Sequence, residues 1–431
     1  MRIAGLVSVA FASTALLVFP ALSTQASSTK EHTNFDEAKV PPYTLPDPLT
    51  TSSGKKIVDR QTWTNQRRPE LLKIFEQNEY GRIPAKPQDM KFASLERDAN
   101  ALGGSAIRKQ IQVSFTNSQS GPSMNILMYL PKRTGHSVPV FVGLNFRGNH
   151  TVQPDPAILL SKRWIPNGDG VVDHHATEAA RGTDAKSWPV QLILLHGYGV
   201  ATVYAGDLAP DDKDHYQEGV FPLFLKPGES QPRADEPGAI GLWAWGLSRA
   251  LDYLETDSDV DSHRVIVIGH SRMGKTALWA GAQDPRFAAV VSNESGEGGA
   301  ALSHRIYGET IDNLNDTFPH WFCGNYKKYN GRELQLPFDQ HELIASIAPR
   351  PVYVASAEGD QWSDPRGEFL GIKNADPVFR LLGTDGLGAD TMPPLSQPVM
   401  TTLGYHIRPG KHNITNYDWQ QYLAWADRHV R

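Results

Sequence analysis

Ser271 stands where a serine can act as a nucleophile. It lies in the run Val267-Ile268-Gly269-His270-Ser271-Arg272-Met273-Gly274-Lys275-Thr276, in which an apolar β-branched segment leads through a glycine into a helical stretch over 276–283. Strand, sharp turn and helix with a hydroxyl at the apex expose that hydroxyl to an incoming base, and such a turn needs small residues beside the serine. The fifth place of the usual G-x-S-x-G pattern holds Met273, with Gly274 one residue later, so the pattern is matched imperfectly. A serine hydroxyl attacks only if an imidazole takes its proton, and the imidazole works only if a carboxylate holds it in the right tautomer. Candidates follow in the chain order serine, acid, histidine, which is the order of α/β-hydrolases. Glu294 lies in Ser292-Asn293-Glu294-Ser295-Gly296, Asp360 in Glu358-Gly359-Asp360-Gln361-Trp362, and His412 in Pro409-Gly410-Lys411-His412-Asn413. Glu294 is expected to be the principal acid, with Asp360 in support. The competing readings are plain ones. Ser271 could be a turn residue, His412 one of 15 histidines in a solvated loop, Asp360 a partner of a loop amide, and Glu294 an ion-pair partner of Arg272 or Lys275.

Elements must carry these residues to one place. Apolar runs at 138–144, 199–204, 265–268, 287–292 and 351–355 predict buried strands, with a last one at 404–407. Helical spacing separates them, most clearly over 240–254, where Leu242, Trp243, Leu247, Ala250, Leu251 and Leu254 form one stripe, and again over 419–429. Buried strands alternating with helices predict an α/β fold, a mostly parallel, doubly wound sheet with helices on both faces. Such sheets place reacting groups on loops at the carboxyl ends of their strands, which is where Ser271, Glu294, Asp360 and His412 fall. Two meandering strands are expected at 107–115 and 124–129, and a helix at 63–80. Three long stretches, 153–187, 215–237 and 304–337, are rich in Gly, Pro, Asp, Asn and aromatics, and are expected to wall the site. One catalytic domain over 61–431 is predicted, after an arm at 27–60.

Arg2 and the apolar run 3–22, followed by the small residues Thr24 and Ala26, read as a signal peptide over 1–26, which predicts a secreted or periplasmic protein. An uncleaved membrane anchor is the alternative. Cleavage removes one positive charge from a net of −5, and this mild acidity predicts neither a nucleic-acid nor an anionic-membrane partner. Cys323 is the only cysteine, so no internal disulfide can form, and a buried structural role is expected for it. Asp339 and His341 resemble a metal pair but lack a third ligand, so a capping role is expected and no metal or cofactor is predicted.

Taken together these motifs resemble carbohydrate esterase family 15, the glucuronoyl esterases. The resemblance rests on Gly269-His270-Ser271-Arg272-Met273-Gly274-Lys275, Glu294-Ser295-Gly296 with Gly298-Gly299, Leu336-Pro337-Phe338-Asp339, Ile347-Ala348-Pro349-Arg350 and Tyr80-Gly81-Arg82-Ile83-Pro84, and it spans the chain from about Trp63 to the last helix. It implies an α/β-hydrolase that cleaves the ester between (4-O-methyl-)glucuronic acid of glucuronoxylan and a lignin alcohol. It further implies Ser271 as nucleophile, His412 as base, Glu294 and Asp360 as acids, Arg272 at the oxyanion, and Lys275, Glu309 and Trp362 on the sugar hydroxyls. An Arg272 ion pair with a loop carboxylate, a helix-surface Lys275 and a packed Trp362 are the bland alternatives. An acetyl xylan esterase or another carboxylesterase would use the same triad, and a catalytically inactive carbohydrate-binding protein is the reading from another class. A monomer is expected.

Overall fold

The Val260–His270 segment forms the strand that ends at the nucleophile, and its middle, from Val265 to Ile268, is wholly buried. A computed structural model describes residues 33–132, 136–225, 228 and 232–431, together with Met1. The predicted signal peptide lies outside the described residues. Ten strands form one sheet: β1 (Lys91–Asn100), β2 (Ala106–Ser114), β3 (Ser123–Pro131), β4 (Val138–Asn145), β5 (Gly199–Tyr204), β6 (Val260–His270), β7 (Ala289–Asn293), β8 (Val352–Ala357), β9 (Val399–Met400) and β10 (Leu403–Arg408), in the spatial order β1-β2-β3-β5-β4-β6-β7-β8-β10-β9. From β5 to β10 the neighbours are parallel, while β1, β2 and β3 meander antiparallel and β9 closes the far edge antiparallel.

Four helices matter most to the site: α1 (Ala239–Leu254), α2 (Arg272–Gln283), α3 (Pro365–Leu381) and α4 (Asn416–His429). The core divides into two clusters. One holds residues of α1, α2 and α3, including Leu247, Leu278 and Phe379. The other holds residues of α4, including Trp419, Leu423 and Trp425, together with Ile193 of the short helix Val190–Leu195. β6 contributes Val265 and Val267 to the first cluster and Ile266 and Ile268 to the second, as strand alternation requires of a sheet covered on both faces. The fold is therefore the expected α/β-hydrolase sandwich.

Several elements go beyond the sequence reading, β1 and α3 among them. β1 is largely exposed and carries Lys91, Glu96, Arg97 and Asp98, so it lacks the apolar alternation that announces a strand. α3 contains Pro377 and opens at Pro365, residues that argue against a helix, although Pro in the first turn is well tolerated. Residues 34–431 form one compact unit. The described part of the arm is tied into it: Glu37 pairs with Arg305 at 2.6 Å and Arg366 at 3.0 Å, and the Pro46 carbonyl lies 2.8 Å from His341 Nε2. Asp339 accepts from the Gln340, Ser303 and His304 backbone amides, so it caps the following turn, as expected. Cys323 is buried, which pushes its thiol up to about 11.

Candidate active site

Ser271 sits at the sharp turn between β6 and α2 with φ 59° and ψ −131°, a conformation unfavourable for any residue with a Cβ. Its backbone N–H donates to the Asn293 carbonyl at 2.9 Å, which pins the apex to the end of β7. The turn explains the displaced glycine of the motif. A Cβ on Gly269 would lie 1.8 Å from the Met273 carbonyl oxygen, and one on Gly274 would lie 2.9 Å from the Ser295 Cβ. Met273 points into the core at 1 % exposure, so the fifth place tolerates a long side chain while the close approach falls on Gly274.

His412 stands on the loop after β10. Its Nδ1 lies 2.7 Å from Asp360 Oδ2 and 3.3 Å from Glu294 Oε2. Its ring centroid is 4.5 Å from that of His270, the residue before Ser271. The elements thus bring Ser271, His412, Glu294 and Asp360 to one end of the sheet. The order of the two carboxylates differs from the expectation. Asp360 makes the shorter bond, and Glu294 is committed elsewhere: Oε1 accepts from Arg408 Nη2 at 2.6 Å and Oε2 from the Asn413 backbone at 2.8 Å. The charges separate in the same way. Burial pushes the Glu294 carboxyl up to about 7 against the pull of His412 and Arg408. Burial also opposes ionisation of Asp360, but its bond to His412 outweighs this and holds it below the ordinary carboxylate value. Asp360 is the carboxylate that stays charged at neutral pH. Burial disfavours a charged His412, yet Asp360 and then Glu294 lift it to about 9.

The ligand atoms of Glu294, Asp360 and His412 lie within 4.8 Å of one another, close enough to surround a cation. A metal would have to displace the Arg408 and Asn413 bonds of Glu294, so the donor set fits an imidazole held by two acids better than a metal cage.

Arg272, the first residue of α2, forms an ion pair through Nε with Asp211 Oδ2 at 2.5 Å, and its guanidinium lies 4.6 Å from the centre of the Phe146 ring and 5.4 Å from that of Trp321. The ion-pair reading of this arginine therefore holds, and among the described residues neither of its Nη groups makes a hydrogen bond. Burial works against the Asp211 charge, but Arg272 and the bonds from His320 and Trp321 hold its carboxyl down at about 2. Lys275 is 2 % exposed and uses all three of its donors, on Ser295 O at 2.7 Å, Glu297 O at 2.5 Å and Glu309 Oε2 at 2.7 Å. An ammonium has only three protons, so none is left for a sugar in this arrangement. Neither a surface lysine nor a direct sugar donor describes it: it fixes Glu309. Glu309 Oε1 accepts from Trp362 Nε1 at 3.0 Å, so Lys275, Glu309 and Trp362 form one connected row.

A solved structure of a promiscuous CE15 esterase from the marine bacterial metagenome is 47 % identical, covers 92 % of this chain and 100 % of its own, and superposes with a TM-score of 0.87. This chain belongs to carbohydrate esterase family 15. Within the family, the glucuronoyl esterase from Solibacter usitatus is 50 % identical, covering 91 % of this chain and 100 % of its own at a TM-score of 0.87. A 4-O-methyl-glucuronoyl methylesterase from Phanerochaete chrysosporium is 33 % identical over 79 % of this chain and 62 % of its own length. Residues 213–383 match the family model described as glucuronyl esterase, fungi.

Three residues of the family 15 site escape the sequence reading. Asp211, which holds Arg272, follows β5 in a loop that ends a strand at the catalytic edge, and its place was a usable signal. Glu368 is buried in α3, where burial pushes it up to about 8, and its Oε1 accepts from the Ser295 and Gly296 amides at 2.6 and 3.1 Å, shaping the turn that presents Glu294. Arg408 ends β10 and threads the loop of the base: besides Glu294 it reaches the Pro409 carbonyl at 3.1 Å, the Asn413 carbonyl at 2.6 Å and Asp418 Oδ2 of α4 at 2.9 Å.

Arg272→Ala is expected to lower kcat by about 10²–10³, the usual cost of one oxyanion donor, with a much smaller change in KM. Steady-state kinetics on an aryl ester decides the matter. A change confined to KM would make Arg272 a ground-state binder.

Proposed function

We propose that this protein hydrolyses esters of glucuronic acid, releasing the uronate and an alcohol. Ser271 Oγ attacks the carbonyl carbon as its proton passes to His412 Nε2, and Arg272, with the amides at the start of α2, meets the charge that grows on the carbonyl oxygen. His412 then returns the proton to the departing alkoxide. Water deacylates the serine by the same steps in reverse. Asp360 and Glu294 hold Nδ1 protonated, so Nε2 is the free base. The observation that carries this reading is the imidazole of His412 bonded to a charged carboxylate beside the turn of Ser271.

The row of Lys275, Glu309 and Trp362 supports a sugar acid on the acyl side. Glu309 retains lone pairs for sugar hydroxyls, and the indole N–H of Trp362, donated to the same carboxylate at 3.0 Å, holds it in place. An acetyl group has no hydroxyl for Glu309 to hold. The polymer we assign is glucuronoxylan joined to lignin alcohols, and the apolar run 3–22 supports export of the chain. No helix among the described residues is long and apolar enough to cross a membrane.

Benzyl glucuronate and acetylated xylan separate the two esterase readings. Turnover of the first should exceed that of the second, and 10 mM EDTA should leave the rate unchanged. Preference for acetylated xylan would overturn the assignment of the acyl group, and loss of activity on chelation would mean that a metal does occupy the triad acids.

A further inference from the structure

A cavity of about 360 Å³ opens at the carboxyl edge of the sheet, beyond β5, and no step of the ester chemistry uses it. Asn125 at the start of β3 and Asp207, just after β5, face it, with Gln112 of β2 alongside. In the sheet order, β3 stands three strands from β6, roughly 14 Å at the usual spacing. That distance is short enough for one extended glycan to reach both places. The volume is within the range of small-ligand sites.

The lining matches a hydroxylated ring. A hydroxyl both gives and accepts, so a site for it needs both kinds of partner. On the accepting side, the Asp207 carboxylate receives one hydrogen bond among the described residues, from the Asn125 backbone N–H at 2.9 Å, and so keeps lone pairs for a ligand. On the donating side, Arg163 spends one bond on the Ser123 carbonyl at 3.3 Å, and Lys162 is exposed and makes no ion pair among the described residues. Leu95 and Leu159 also line the cavity at 42 % and 46 % exposure, apolar surface suited to the C–H face of a pyranose. Burial pushes the Asp207 carboxyl up to about 6, against its bond from Asn125 and the charge of Arg163, so at neutral pH it remains an acceptor. Asp207 and Asp211 are four residues apart on one segment, so the wall of the cavity and the clamp on Arg272 are built from the same piece of chain.

We propose that this cavity is an accessory subsite for neutral pyranose units of the polysaccharide that carries the ester, a reading that rests on the glucuronate-ester function proposed above. Calorimetric titration with xylotetraose, which has no ester to cleave, tests it on the full-length protein. The wild type should bind it, Ser161→Trp should fill the cavity and weaken binding at least about tenfold, and Asp207→Asn should weaken it by a smaller factor. Both variants should keep kcat/KM on benzyl glucuronate within about twofold, and both should lose about tenfold on a glucuronate ester borne on a xylo-oligosaccharide. Absence of xylotetraose binding, or binding unchanged in both variants, would overturn the subsite. Retained, cavity-dependent binding in a wild type that fails to cleave benzyl glucuronate would support the subsite while removing the ester reading. Thermal melting confirms that each variant is folded, and the conservative Asp207→Asn keeps the test open if the tryptophan is not accommodated.

Discussion

Ser271→Ala is expected to remove catalysis almost completely, with kcat falling by a factor on the order of 10⁶, as triad serines do when replaced. The residue has φ 59°, and an alanine keeps the Cβ that makes this conformation costly. The fold of Ser271→Ala should therefore be neither relieved nor disturbed. Ser271→Gly provides the contrast. It also lacks the nucleophile, yet it frees the turn from a strain of about 1–3 kcal/mol. Its melting temperature should exceed that of Ser271→Ala, after allowance for the greater freedom of glycine in the unfolded chain. Single-turnover kinetics on an aryl glucuronate and thermal denaturation of the two variants give both readouts. Substantial turnover in either variant would place the nucleophile elsewhere.

Removing both acids should have the next largest effect. A carboxylate that orients a catalytic histidine is worth about 10⁴ in kcat where it acts alone. Here two share the task, so the single variants are unequal and the double variant approaches the full loss. Asp360→Asn should cost on the order of 10²–10³ and Glu294→Gln about tenfold, because Asp360 makes the 2.7 Å bond and stays ionised while Glu294 is bound up with Arg408. The pH profile carries a second signature. The reacting form of His412 is neutral, and the two negative neighbours favour its protonated form, so the acid limb of kcat/KM reports a raised value. Removing either carboxylate lowers that value, so the limb moves to lower pH. The shift is larger for Asp360→Asn, since Glu294 itself protonates near 7. A larger loss from Glu294→Gln, or a limb that moves to higher pH, would reverse the assignment.

What the chain discloses about itself depends on how local the cause is. The strand-turn-helix of Ser271 is written within some twenty neighbouring residues, although the strand begins at Val260 and the helix at Arg272, both earlier than the runs at 265–268 and 276–283 predict. The parallel strands were legible because both faces of each are buried, leaving unbroken apolar runs such as Val265 to Ile268. β1 and α3 were not, because their residues belong to a pattern only once their partners are known. The order of the two acids was hidden for the same reason. It depends on Arg408 reaching Glu294 across 114 positions, and no spacing along the chain signals such a contact. Lys275 shows the limit of carrying a role over by position. Its place one helical turn after Ser271 was right, but its three protons are consumed by Ser295, Glu297 and Glu309.

The guanidinium of Arg408 has a consequence for how this enzyme should fail on heating. It grips one acid, both ends of the loop that carries the base, and the last helix, so the loop cannot swing open by itself. Opening would strip the buried guanidinium of the Pro409, Lys411 and Asn413 carbonyls, at a cost of about 1.5–3 kcal/mol for each hydrogen bond to a charged group. Together these are a large share of the total stability of an ordinary domain. Many enzymes lose activity through loosening of a catalytic loop well before they melt. This one should stay fully active up to the temperature at which its secondary structure collapses. Residual activity and far-ultraviolet circular dichroism, followed over the same temperature ramp, should fall together, and in Arg408→Ala the two curves should come apart.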